Sequence, residues 1–246
     1  SAACKSKFMI KRVAFLTVSA ASLGLAASAQ QGPARVSWAP SDTGSCTQCS
    51  FVGHDLSGWN ISRSNYAGAD LTGANLYGLA ATGAEMPDIT AIGADFRSAQ
   101  LDESVLTGSD LSGAILNQAS LVTANLGNAT LISAKMHGII LVGASLPRAK
   151  LIAVRANNAD LSGANLYRAD FSAAQLERAT FDNAVLNLTN FESADLSHAK
   201  IRGTRLIDVN FTNVSGLETI DFEDTCWTGS TRLPETLNVP ACPFDD

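Results

Sequence analysis

The chain has 246 residues, of which 46% are hydrophobic and 16% charged, with a formal net charge of −6. The apolar fraction supports a sizeable core and excludes disorder throughout. The low charged fraction excludes a coiled coil or a long solvated helix. The negative balance argues against a general binder of nucleic acid or anionic membrane.

The chain opens on an address label. Met9-Ile10-Lys11-Arg12 precedes an apolar stretch, Val13 to Ala29, that ends Ala27-Ser28-Ala29. A basic start, a short apolar run and an A-x-A site read as a cleaved secretory signal beginning at Met9, with residues 1–8 upstream of it. Thr17, Ser19, Ser22 and Ser28 dilute the stretch, so no membrane span is expected once it is cleaved. Residues 1–29 hold four of the 17 bases and none of the 23 acids, so the remainder carries a net of −10. Seven acids and one base, Arg232, lie between Leu217 and Asp246.

A period of five runs from His54 to Asn213 through 32 quintets without an insertion or deletion. Leu or Phe fills 24 of the 32 middle positions, from Leu56 to Phe211. Two residues earlier stands a small position, Ala in 20 of 32 quintets. Asp or Asn often lies between them, as in Ala69-Asp70-Leu71, and Gly often follows two after the middle, as at Gly73. Five fits neither the helical period of 3.6 nor the strand period of 2. It predicts one bend per quintet, with the Ala and Leu positions facing one interior and the other three facing water or turning. Such a unit stacks as a solenoid.

The repeated A-[D/N]-L-x-x motif, seen at Ala69-Asp70-Leu71-Thr72-Gly73, Ala124-Asn125-Leu126 and Ala194-Asp195-Leu196, resembles the pentapeptide-repeat family. The resemblance covers residues 54–213. It implies an all-β fold: a right-handed, four-sided parallel β-helix of about eight coils, roughly 38 Å long. It also implies columns of residues twenty apart. Phe171, Phe191 and Phe211 form an aromatic column, and Pro87 and Pro147 share an outward column where the missing N–H must be dispensable. Where the middle position shrinks to Ala, at Ala81, Ala91 and Ala156, the small position grows to Leu79, Ile89 and Val154, so volume moves within the quintet.

Three further segments flank the repeat: upstream residues and signal at 1–29, a linker and N-terminal cap at 30–53 with Trp59 as a plug in the first coil, and an acidic C-terminal cap at 214–246. Past the signal the chain holds Cys46, Cys49, Cys226 and Cys242. An even count in an exported chain favours disulfides. The rod that the resemblance implies separates the two ends too far for cross-pairing, leaving Cys46–Cys49 and Cys226–Cys242. Similar exported members also carry a cysteine pair before the first repeat and a cysteine in the closing cap. A redox-active Cys46-Thr47-Gln48-Cys49, a metal site and free thiols are the alternatives.

No G-x-S-x-G, H-E-x-x-H or phosphate-loop pattern is present, and the three His are scattered, so no enzyme, metal or cofactor is expected. One candidate anion patch is Lys135, Arg148, Arg155 and Arg168, whose members stack in like-charged column pairs; a solvated face is the plainer reading. The predicted function is a non-enzymatic periplasmic or secreted scaffold that binds a protein or cell-envelope component, with an end-to-end dimer as one arrangement of the rods. Two alternatives stand beside it. Some family members are acidic rods that mimic DNA and protect gyrase, and Cys46 with Cys49 would suit a thiol oxidoreductase.

Overall fold

A computed structural model describes residues 44–233, 235–237 and 239–243. The signal segment, 1–29, lies outside the described residues, as does most of the predicted linker at 30–53.

Each quintet closes one β-turn. In the quintet of Leu71 the N–H of Ala74 donates to the Leu71 carbonyl (2.9 Å). Gly73 sits between them with φ +64°. The other N–H groups of the unit have fixed destinations. Asp70 N–H donates to Cys49 O one coil back (2.8 Å), while Leu71 and Gly73 donate to Thr90 O and Ile92 O one coil on (2.6 and 2.9 Å). The remaining N–H, on Thr72, donates to Oδ1 of Asp70 (3.0 Å). All five backbone donors are thus satisfied within the coil stack.

This accounting explains two features of the sequence. Asp and Asn recur before the middle residue because their carboxylate or amide oxygen accepts the one N–H that the stack leaves over, as at Asn75 for Tyr77 (3.2 Å), Asp160 for Ser162 (3.0 Å) and Asn165 for Tyr167 (3.1 Å). Pro87 and Pro147 occupy that same left-over position, so their missing N–H removes no rung. Their carbonyls still accept from Gly68 (2.9 Å) and Asn128 (2.9 Å).

Parallel bridges join each outward residue to the one twenty positions on, from Ser50 with Asp70 to Asp195 with Ser215. Stacking therefore begins before His54: Cys46 N–H already donates to Asn65 O (2.7 Å). It also continues beyond Asn213. Lys200 bridges Asp221, and strand β1 (Arg205–Ile207) pairs in parallel with β2 (Cys226–Thr228) at a step of twenty-one. The extra residue is absorbed at Gly216 and the 3-10 turn Leu217–Thr219. No α-helix occurs among the described residues.

The turn position two after the middle is left-handed whether or not it is Gly. Thr123, a β-branched residue, holds φ +55°, as does Ala153. The coil-to-coil bond from this residue's N–H fixes the turn, and the side chain is carried along at a cost of about 1 kcal/mol.

The Ala and middle columns form one continuous core. Leu79 and Ala81 are both fully buried, as are Val154 and Ala156, so the exchanged pairs fill the same space as an ordinary quintet. Leu79→Ala is expected to cost between about 2 and 3 kcal/mol, whereas the double change Leu79→Ala with Ala81→Leu is expected to cost under about 1.5. Thermal melts of the two variants check this; equal melting temperatures would contradict it.

Candidate functional site

The N-terminal end gathers the chain's unusual inward residues. Cys46 and Cys49 are joined with Cα atoms 5.6 Å apart, and Gln48 between them takes the left-handed turn. Phe51 meets Trp59 edge-on (5.9 Å) and lies 6.3 Å from Tyr66. Trp59 is buried, in the place predicted for a plug. His54 sits at the rim, its Nδ1 3.0 Å from Val52 O and its ring edge-on to Phe51. Among the described residues no helix terminus faces the cysteines to activate a thiolate.

Tyr66 and Ser64 carry buried hydroxyls with no hydrogen-bond partner among the described residues. Burial pushes the Tyr66 phenol up to about 12. Tyr66→Phe removes an unsatisfied polar atom from an apolar place, so it is expected to hold or raise the melting temperature. In an ultraviolet titration Tyr66 is expected to ionise at about pH 12. A drop of several degrees in Tyr66→Phe would show that the hydroxyl is bonded.

The C-terminal end is laced by charge. Arg202 Nε donates to Asp182 Oδ2 (3.0 Å), with Asp221 at 3.9 Å and Glu223 at 4.0 Å. The Arg202 guanidinium holds the Asp182 carboxyl below the usual carboxylate range, against a smaller opposing effect of burial. The Asp208 carboxyl is likewise lowered, by the Ser230 N–H (2.6 Å). A depressed carboxyl stabilises the fold fully above its unfolded pKa, and the gain is lost as pH falls through the folded value. Acidification below about pH 4 should therefore loosen Cys226–Thr228 before the middle coils. Amide-exchange protection factors at pH 5 and pH 3 check this, and equal loss at Leu146 and Trp227 would contradict it. Cys226 and Cys242 are joined across this end, with Cα atoms 4.7 Å apart.

The candidate anion residues fall in two columns. Lys135 and Arg155 are direct bridge partners. Arg148 and Arg168 occupy successive left-handed turns of another column, φ +58° and +57°, with Arg168 over the Tyr167 ring at 5.1 Å. All four are exposed. Lys150, which lies between the columns, faces the same region. The side centred on Leu151 separates the two pairs, so the four do not converge on one point.

Catalytic convergence is not found among the described residues. His137 and His198 are exposed on different turns. Among the described residues no group of three His, Cys, Asp or Glu could hold a metal ion, and no helix is long and apolar enough to cross a membrane. The surface depression near Asp208 and Arg232 sets Ser230 beside the Asp208 carboxylate but holds no His or Cys, and the one near Asp182 and Arg202 is lined by charged and turn residues without a hydroxyl or thiol.

Comparison with known proteins adds the family. A family model described as pentapeptide repeats matches residues 45–86, 89–118, 116–148, 144–183 and 174–213. The crystal structure of HetL, a pentapeptide repeat protein involved in heterocyst differentiation regulation from the cyanobacterium Nostoc sp. strain PCC 7120, is 28% identical, covers 74% of this chain and 84% of its own, and gives a TM-score of 0.55. Trypsin-treated QnrB1, a plasmid-mediated fluoroquinolone resistance protein, is 20% identical, covers 75% of this chain and 92% of its own, and gives a TM-score of 0.59, a likeness of fold. A comparison with curated protein sequences returned no match. With its quintets stacked in parallel and the family model spanning most of its length, the chain belongs to the pentapeptide-repeat family and is built as a right-handed β-helix.

Proposed function

We propose that this protein is a non-enzymatic, exported scaffold whose outer faces bind a protein or a cell-envelope component. The observation that carries this reading is the use made of the recurring acids and amides. Asp70, Asp110, Asp160 and Asp195 each accept a backbone N–H two residues on, at 2.9–3.0 Å, so they are committed to the coil. What is left on the surface is a regular, rigid set of faces. HetL is described as involved in regulation, which suits a protein that acts by contact.

In this proposal the coil is four-sided, with four quintets per turn and about eight coils. Residues 1–29 are removed, 30–53 lead into the first coil, and 214–246 close the last. Export fits the segment from Met9 to Ala29 and the cysteine pairs at both ends. The DNA-mimic reading needs continuous negative charge. It is disfavoured because residues 111–159 contain four bases and no acid.

An intact mass under non-reducing conditions, on protein from its native host, tests the reading. A mass beginning near Gln30 and short of the reduced value by four hydrogens is expected. A mass that retains the Met9 segment with free thiols would overturn export.

A further inference from the structure

The rod is banded in charge. Residues 54–110 hold eight acids and two bases, residues 111–159 hold no acid, and acids return from Asp160 onward. The acid-free band falls on two to three successive coils. One coil presents Arg148, Lys150, Ile152 and Arg155 in order around its outer side. The coil before it presents Asn128, Thr130, Ile132 and Lys135 in the same columns.

Two observations set this face apart. Among the bridged pairs of the described residues, Lys135 with Arg155 alone joins two like charges, an arrangement that is destabilising in isolation. None of Lys135, Arg148, Lys150, Arg155 and Arg168 has an ion pair among the described residues, whereas Arg97, Arg178 and Arg202 each do. The nearest carboxylate on the side, Asp170, is Lys150's bridge partner, but its Oδ1 accepts from Ser172 N–H and Asn190 Nδ2, both at 3.0 Å. Between the cation columns runs an apolar strip. Ile132 is 36% exposed, Ile152 lies one coil on, and the adjoining turn residues are only Ser133 and Ala153.

We propose that this face is a docking surface for a short acidic protein segment that also carries apolar side chains. This rests on the scaffold reading above and names the partner chemistry of one face. The carboxylates would lie against Lys135 and Arg155 on one side and Lys150, Arg148 and Arg168 on the other. The apolar side chains would cover Ile132 and Ile152, for which a sugar or phosphate chain has no use. The band is about 10–15 Å tall, the span of three or four extended residues. The acidic coils of residues 54–110 repel a long polyanion that would run along the rod, so a short segment fits and a duplex does not.

The test is fluorescence anisotropy at low salt with a labelled peptide of alternating Glu and Leu, using the full chain with its disulfides intact. Saturable binding that weakens with added salt is expected. Lys135→Glu with Arg155→Glu should weaken it at least tenfold, and Ile132→Ser with Ile152→Ser by about threefold or more, while thermal melts confirm that both variants fold. No saturable binding overturns the proposal. So does binding that both double variants leave unchanged, and so does tighter binding of a heparin fragment or a DNA duplex than of the peptide. The intact-mass experiment does not depend on these cations, so a failure here sinks the docking face and a failure there sinks export.

Discussion

Phe191→Ala is expected to destabilise the protein by about 4 kcal/mol or more, the largest loss of any single truncation in the rod. Phe191 is fully buried between Phe171 and Phe211, stacked at centroid distances of 5.4 and 5.6 Å. Phe181 meets it edge-on from the opposite side of the coil, two quintets away, at 5.6 Å. The cost combines the transfer of a phenyl ring to water, the void left in a column that a rigid coil cannot close, and three aromatic pairs worth about 0.5–1.5 kcal/mol each. Phe211, at the end of the ladder and 6% exposed, has one stacked neighbour, so Phe211→Ala should cost clearly less. Denaturant melts of the two variants check the order. A smaller loss for Phe191→Ala than for Phe211→Ala would contradict it.

Removing the Cys226–Cys242 link, by Cys226→Ser with Cys242→Ser, is expected to cost about 3 kcal/mol, because the bond closes a loop of 16 residues. The same change at Cys46 and Cys49, which closes only three, should cost about half as much. The C-terminal loss is local. The link holds the returning strand against β2, where Trp227 bridges Ala241 and its Nε1–H donates to Val239 O (3.0 Å). Without it Ser230 and Thr231 stay bonded to Asp208 and Leu206, and the segment beyond them is held by little more than the bonds of Trp227 with Val239, Pro240 and Cys242. Limited proteolysis should therefore cut the variant in the region of Arg232 while the coils from Leu71 to Leu196 stay intact. A variant as resistant as the parent would show that the turn of chain is held by packing alone.

The coil was legible in the sequence because its two constraints are both written in residue type. The apolar pair two residues apart sets the inside, and the Asp or Asn between them serves a backbone donor that recurs every five residues. The aromatic column was legible for the same reason, yet Phe181 was not placed in it. It lies on the opposite side, two quintets away, and its edge-on contact across the core depends on the width of the core rather than on the period. The stacking that continues beyond Asn213 does not show in the sequence, for a different reason. After Val214 the inward positions are filled by polar residues such as Thr225, whose Oγ1 donates to Ile201 O, and Thr231, whose Oγ1 donates to Leu206 O (3.1 Å). A hydroxyl bonded to the coil below is buried as fully as Ala, but it does not show in an apolar pattern. One added residue at the 3-10 turn then moves the phase.

The candidate cation face was half legible. The column pairs Lys135 with Arg155 and Arg148 with Arg168 could be read by counting in twenties. The apolar strip between them could not, because Ile132 and Ile152 stand one residue after the middle, where nothing in the motif fixes the side chain. Non-glycine turns were also invisible. Asn and Gly tolerate a positive φ, but the stack imposes it equally on Leu188 and Arg178 (φ +60° and +57°).

The claim on which the rest depends is the twenty-residue coil. Its most direct test is an electron-spin distance between nitroxide amino acids placed at Thr72 and Thr212, which leaves the four cysteines untouched. Both positions face outward in one column, seven coils apart at twenty residues per coil. At about 4.8 Å per coil the account predicts one narrow distance near 34 Å. A coil of three quintets would place the same pair about 45 Å apart, and that distance, or a broad distribution, would contradict the account.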